Sequence, residues 1–456
     1  MHYEKFYDGN VKCVEDEIPF ELPEGWAWER LTNLAAFSGG KTPSTSRREY
    51  WDGEVLWVTS KDMKSKYITS SQLRLSTLGA EQMQVYQPDT LLLVTRSGIL
   101  RHTLPIAILK ECATVNQDLK AIVLHMPELA EYIYACLKGM ESQLLLKYTK
   151  SGTTVENVNF DEFQRVLLPI APLHEARRII AATNDATQVV TAIENDKVAL
   201  AEYVAKTKDK ILDLAIHGQL VPQDSADEPA YVLLERIRAE KEELIKQGKI
   251  KRDKKESIIF RGDDNSYYLK QGDHVEAVDS QFLFDLPDGW SWCLLPNISH
   301  SELGKTLDQA KNTGDLHPYL RSVNIRWDEV DLSDVNQMRF EPEEMDRYTI
   351  TKGDLLICEG GDVGRSAIWI SDNDILYQNA LHRVRFWGGI NPRFFMYYMM
   401  FYESKGIIKD ICKGVTIKHL TGNVLNSIPF ALPPVDEQIA IVAKIDEAFK
   451  LLNTIL

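Results

Sequence analysis

The string LPEGWAW at Leu22–Trp28 returns as LPDGWSW at Leu286–Trp292, an offset of 264 residues (286 − 22). A Leu-Pro-acid-Gly turn feeding an apolar stretch is a common way to start a β element. Two such copies in one chain mean a duplicated structural unit, because self-similarity at a long period reflects repeated architecture. The chain has 456 residues, too many for one hydrophobic core, and the period fits two domains, each followed by its own connector.

The correspondence continues in order. Gly40-Lys41-Thr42 matches Gly304-Lys305-Thr306, and Leu56–Ser60 lies opposite Leu320–Asn324. Pro88–Leu93 resembles Lys352–Ile357, and Val115–Leu119 resembles Leu376–Ala380. Lys150–Thr154 then matches Cys412–Thr416, and Leu168–Glu175 matches Phe430–Glu437. Collinearity with so little identity describes two domains that share a scaffold but not a surface.

Between the copies the pattern becomes helical. Ile179, Ala186, Ile193, Leu200, Thr207 and Leu214 recur every seven residues, with Ala182, Val189 and Tyr203 beside them and charged residues elsewhere, which suits a long helix packed along another. His217-Gly218 stops it, Pro222 to Pro229 forms a linker, and a second helix is expected from Ala230 to Gln247. Ile439, Val442, Ile445, Phe449 and Leu452 place one more apolar stripe on the last twenty residues. The chain therefore reads β-rich domain, long helix, β-rich domain, helix.

Composition narrows the function. No apolar run reaches the roughly 18 residues that would cross a bilayer, and the N-terminus carries no secretory pattern. The six cysteines are scattered without a CxxC pair, as expected of reduced thiols in a cytoplasmic protein with no metal site. A net charge of −15 averages over faces, so it does not exclude a locally basic one, although the run Lys246–Lys255 also reads as a solvated helix end. Neither Gly-Lys-Thr is a phosphate-binding loop, since GxxxxGK[ST] needs glycine where Ala35 and Ser299 stand. No GxGxxG loop follows a strand, and Asn391-Pro392-Arg393-Phe394 lacks the second proline of an amino-methyltransferase motif. Intrinsic catalysis is not expected.

With these residues in this order, the chain resembles the specificity subunit of type I restriction-modification systems. The resemblance runs through LPEGWAWERL and GGKTPS, Pro172-Leu173-His174-Glu175, Ile216–Asp224, Asp227-Glu228-Pro229-Ala230, LPDGWSW, Gly353–Leu356, Gln378–Leu381 and Pro433–Gln438. It implies an α+β fold: two β-rich target recognition domains separated by long antiparallel coiled-coil-like helices, with a pseudo-two-fold internal repeat. The expected boundaries are 1–165, 166–255 for the central helical spacer, 256–425, and 426–456 for a C-terminal helix pairing with the central one. The implied function is to read both halves of a bipartite, asymmetric DNA target. Methylation and cleavage would belong to partners: modification subunits, expected to be two and to carry S-adenosylmethionine, and a restriction subunit. No cofactor is expected on this chain, and no membrane. Two other readings stay open, a stand-alone restriction-modification enzyme and a scaffold that does not bind DNA.

DNA reading needs cations and small donors for phosphates, and planar donor–acceptor groups for base edges. In the first copy the candidates are Lys41, Thr42, Ser44, Arg47, Arg48, Lys61, Lys64, Arg96, Arg101, Lys150 and Thr153. In the second they are Lys305, Thr306, Arg321, Asn324, Arg326, Arg365, Gln378, Asn379, Lys413 and Lys418. Arg96 and Arg365 stand out, each following a buried strand in a small-residue loop. His174 beside Glu175 reads as a helix cap, and the paired tryptophans read as structural. Finally, about twenty residues of closing helix span about 30 Å against about 65 Å for the central one. Leu200, Tyr203, Ile211 and Leu214 would then lack a partner within the chain and are expected to form a partner interface.

Overall fold

The computed structural model describes residues 2–6, 8–150, 156–252, 256–278, 284–308, 312–412 and 419–455. They form two compact units, Met1–Glu194 and Asn195–Leu456, whose boundary falls inside one continuous helix, Leu173–Ile216, of 44 residues. Each unit takes one part of that helix, whereas the sequence suggests a separate spacer at 166–255.

In the first unit a five-stranded sheet has the order Ala35–Gly39, Leu119–Leu124, Leu91–Val94, Ile106–Leu109, Tyr67–Ile68. The strand Leu91–Val94 is an unbroken apolar run because both its faces are covered. Leu91 and Leu93 point into a core shared with the helix Ala130–Gly139 and Phe163, while Leu92 and Val94 join a second core with Leu56, Val58 and Val115. That second core is lined by Trp51–Val58, paired in parallel with Ala113–Val115 and antiparallel with Leu73–Leu75.

The second unit repeats the plan. Its four-stranded sheet runs Ser299–Leu303, Leu381–Phe386, Leu355–Cys358, Ser366–Ile368, and a further four strands run Asn336–Phe340, Asp315–Leu320, Ile375–Tyr377, Thr349–Ile350. Leu355 and Ile357 face a core with Phe394, Phe395 and Tyr398 of the helix Pro392–Ser404, and Leu356 and Cys358 face the other core. Val58 lies opposite Val115 and Leu320 opposite Tyr377 in equivalent parallel ladders. The LWVTS segment therefore aligns two residues away from the register suggested by sequence.

The doubled tryptophan string closes each unit on itself. Trp28 lies opposite Pro169 in the pairing of Ala27–Arg30 with Leu167–Ile170, and Trp292 opposite Ala431 in that of Ser291–Leu294 with Pro429–Leu432. The other tryptophan of each string reaches the helix that follows the closing strand: Trp26 Nε1 donates to Glu175 at 3.1 Å, and Trp290 Nε1 to Glu437 at 2.9 Å. Trp290 and Trp292 are both buried, in keeping with a structural role. A hairpin precedes each string, Tyr3–Lys5 with Val11–Cys13 and Tyr267–Gln271 with His274–Ala277, so the repeat begins earlier than the tryptophans. Arg30 anchors the first hairpin by donating to Glu4, to Glu17 and to the Arg165 carbonyl.

The long helix departs from a uniform heptad seam. Ala176, Ile179 and Ile180 pack on the first unit's core, and Leu212, Ala215 and Ile216 enter the second unit's core with Trp290, Ile441 and Ile445. From Asp185 to Tyr203 every residue is exposed. Near its C-terminal end the helix runs antiparallel to Val435–Asn453: Lys208 Nζ donates to Asn453 Oδ1 at 2.6 Å, while Gly218 lies against Trp290, whose indole holds Glu437 in the first turn of that helix. Gly218 has φ +66°, and a Cβ there would approach Pro287 Cγ to 2.5 Å, so this helix stop requires glycine. No helix among the described residues is long and apolar enough to cross a membrane.

Candidate nucleic-acid interface

In the first unit, loops gather at one end of the strands. Gly40 N–H donates to the Leu119 carbonyl and Lys41 N–H to that of Val115, at 3.4 and 3.1 Å. Asn116 N–H donates to the Val58 carbonyl, Thr95 N–H to Asp118 and Val158 N–H to Thr95, all within 2.9–3.0 Å. Segments 40–42, 59–62, 95–98, 116–118 and 157–158 therefore share one edge. A Cβ on Gly40 would lie 2.1 Å from the Val115 carbonyl oxygen, which explains the glycine of Gly-Lys-Thr as close backbone approach.

The polar loop after Lys41 is braced from below. Trp57 Nε1 donates to the Lys41 carbonyl at 3.4 Å and Trp51 Nε1 to that of Ser44 at 3.2 Å, the two rings meeting edge to face with centroids 5.0 Å apart. Arg47 donates to the Tyr50 hydroxyl at 2.7 Å and lies over its ring. Thr42 Oγ1 donates to Gln117 Oε1. Lys41, Thr42, Arg47, Arg48, Lys61, Lys64, Arg96, Arg101 and Lys150 are all exposed. Arg101 is held by Glu156, with Nε to carboxylate distances of 2.7 and 2.9 Å. Rigid strands thus present a set of cations and small donors on loops, the arrangement a phosphate-contacting surface needs.

The second unit has the same frame and different electrostatics. Gly304 N–H donates to Leu381, Lys305 N–H to Tyr377 and Gln378 N–H to Leu320. Lys305, however, is buried, with its ammonium on Glu341 and Glu344. Burial pulls its pKa down, but the hydrogen bonds to the two carboxylates outweigh that and raise it, while Lys305 first among its neighbours holds Glu341 down to about 2. Asn324 is also buried, donating to the Asp331 and Asp334 carbonyls and accepting from Arg321 N–H, each at 2.9 Å. Arg365 bonds Asp362 and the Ser322 carbonyl. These three side chains are engaged by internal partners, some local, as Asp362 is to Arg365, and some distant, as Glu341 and Glu344 are to Lys305, so their placement does not favour the DNA contacts expected from sequence. Thr306 and Arg326 are exposed, Arg326 lying 4.0 Å from Asp331, and Gln378 is half-buried. Thr153, Lys413 and Lys418 lie outside the described residues.

Arg96 and Arg365 are not equivalents. The loop from Val94 to Ile106 is longer than that from Cys358 to Ser366, and both Arg101 and Arg365 pair with an acid of their own unit. Gln117 lies outside the set expected from sequence. The sequence pairs Gln117 with Gln378, whereas the parallel ladders set Asn116 against Gln378 and Gln117 against Asn379.

Two copies of one scaffold with unlike edges correspond to a known domain. The model of the family described as type I restriction modification DNA specificity domain matches residues 23–202 and again 287–456. The chain belongs to this family of DNA specificity domains. The EcoAI specificity subunit of Escherichia coli is 24% identical to this specificity chain over 96% of the chain and 80% of that subunit. The EcoR124I/EcoR124II specificity subunit of Escherichia coli is 30% identical over 34% of the chain, an aligned part that is 39% of that protein. A chain in a solved structure concerned with complex assembly and conformational transition of the type I R-M system shares the fold, with TM-score 0.58, 16% identity, and 96% and 93% of the two chains covered.

Proposed function

We propose that this specificity chain reads a bipartite, asymmetric DNA target, one half per unit, and directs modification and restriction subunits to it. The observation that carries this is the repeated strand-end frame with unequal side chains: Lys41 is exposed where Lys305 is buried on two glutamates. Identical readers would suit a palindrome; unlike readers suit unlike half-sites. On this reading methylation and cleavage reside on the partners, with two modification subunits carrying S-adenosylmethionine and no cofactor on this chain, and the assembly works in the cytoplasm.

The long helix supplies the docking face for the modification subunits. Leu200 and Tyr203 are exposed there, 39% and 67%, on one face of the helix; Ile211 and Leu214 are half-buried and would contribute from the edge. A contiguous apolar stripe on a helix surface fits an interface.

Binding of the assembled complex to duplex DNA tests the function. Arg96→Ala should cost about 1–3 kcal/mol and relax one position of one half-site, whereas Lys61→Ala should weaken all sequences alike. Equal, sequence-independent losses from both changes would reject the reading role of Arg96. Binding that does not fall with salt would reject DNA recognition by the assembly.

A further inference from the structure

We propose that Gln117 and Asn379 are equivalent base-reading side chains, one for each half-site, each set in place by the threonine of its own Gly-Lys-Thr loop and each taking the edge of an adenine. This deepens the DNA-reading function proposed above and rests on it.

The equivalence is geometric. Asn116 N–H donates to the Val58 carbonyl and Gln378 N–H to that of Leu320, in matching parallel ladders, so the next residue in each copy occupies the same point of the edge. Across from that point stands the threonine. Thr42 Oγ1 donates to Gln117 Oε1, and Asn379 Nδ2 donates to Thr306 Oγ1 at 3.4 Å. The backbones that carry the pair are clamped together: Lys41 N–H bonds the Val115 carbonyl, and Asn379 N–H bonds that of Lys305 at 2.8 Å. The two backbones approach so closely that a Cβ on Gly40 or Gly304 would overlap the facing backbone at 2.1 or 2.3 Å.

A second feature marks the site in the second unit. Ala380 has φ +81°, a left-handed conformation that side-chain-bearing residues avoid. Its N–H donates to Asn379 Oδ1 and its carbonyl accepts from Glu359 N–H at 2.9 Å. The strained residue thereby orients the amide it follows. Strain kept in place by surrounding bonds is characteristic of binding sites.

The chemistry selects the ligand edge. A carboxamide offers two N–H donors and an oxygen with two lone pairs. At Gln117 the threonine hydroxyl uses one lone pair. At Asn379 the threonine uses one N–H, and Ala380 N–H uses one lone pair. Both amides retain a free donor beside a free acceptor, the set complementary to adenine N7 and N6 in the major groove. In the second unit Lys305, Asn324 and Arg365 are committed internally, while Asn379 stays half-exposed.

The test is methylome sequencing of hosts carrying the complex with Gln117→Ala, Gln117→Glu or Asn379→Ala, alongside the parent. Gln117→Ala is expected to cut the preference for one adenine in one half-site roughly tenfold, leaving the other half-site intact, and Asn379→Ala to do the same in the opposite half-site. Gln117→Glu should move that one preference from adenine towards cytosine, whose amino group a carboxylate accepts. Retention of the other half-site shows that the variant complex is folded and assembled. An unchanged motif, or equal loss at every position of both half-sites, would overturn the proposal while the parent motif still upholds the reading of DNA. If all three variants fail to assemble, the side chains are structural and the proposal is wrong. A parent with no methylation motif would instead count against the function on which the proposal stands.

Discussion

Trp290 donates its indole N–H to Glu437 at 2.9 Å, across 147 residues of chain, and Trp26 makes the same bond to Glu175 at 3.1 Å across 149. One bond in each unit thus ties the opening strand to the helix that leaves the domain. Burial pushes the Glu437 carboxyl above the usual carboxylate range, against the Trp290 bond, which lowers it. A folded-state pKa above the unfolded one means that the native state binds the proton more tightly. The resulting stabilisation is complete below the ordinary glutamate pKa and is lost as pH rises through the raised value. Urea unfolding across that range should show stability declining with pH, and Glu437→Gln should flatten the decline. Trp290→Phe should cost about 1–3 kcal/mol, because it removes the indole donor from a buried carboxyl group.

The first unit should respond to acid in the opposite sense. Arg30 donates to both Glu4 and Glu17, and its hydrogen bond holds Glu17 down to about 2. A depressed carboxylate contributes stability present above its unfolded pKa of 4.5 and lost as pH falls towards about 2. Arg30→Ala should cost about 2–3 kcal/mol near neutrality and remove most of that acid dependence. A variant as acid-sensitive as the parent would show that the hairpin is held by other contacts.

Exposure separates the two lysines of the Gly-Lys-Thr loops. Lys41 is exposed, so Lys41→Ala should lower the slope of log affinity against log salt by about 0.9, the contribution of one phosphate contact. Lys305 is buried on Glu341 and Glu344, so Lys305→Ala should leave the slope unchanged while destabilising the fold. Salt titration of DNA binding by the assembled complex distinguishes the two residues. Equal slopes lost from both would mean that Lys305 leaves its carboxylates on binding.

Glycine at the strand ends is a packing requirement. Gly40→Ala places a Cβ 2.1 Å from the Val115 carbonyl oxygen and should destabilise the first unit by about 1–3 kcal/mol, whereas Gly98→Ala meets nothing within 4 Å and should be tolerated. Thermal unfolding of the two variants makes the comparison directly.

The repeat was legible because its signals are local: LPxGWxW, a Gly-Lys-Thr and a buried strand recur in register, and each marks an element boundary. The leading hairpins were not, since YEKFYDGNVKC and YYLKQGDHVEA share little beyond a tyrosine and a turn. Charge partners were hidden for a different reason. Glu341 and Glu344 reach Lys305 from 36 and 39 residues away, and no local pattern shows that they neutralise it. Arg96 and Arg365 stand out in the sequence because each follows a buried strand, but the loops that carry them differ in length and Arg365 bonds Asp362 of its own loop. The heptad reading of the long helix located the helix and not its buried face. Near the C-terminal end, Leu212, Ala215 and Ile216 pack into a globular core, which selects a different stripe from a uniform coiled-coil seam.

Two unlike DNA-reading units in one chain should leave their mark in the methylation motif of a host carrying the intact system. The expected result is two short, different half-sites separated by a fixed gap of unread bases, methylated only when both are present. A continuous motif, or two identical inverted halves, would contradict it.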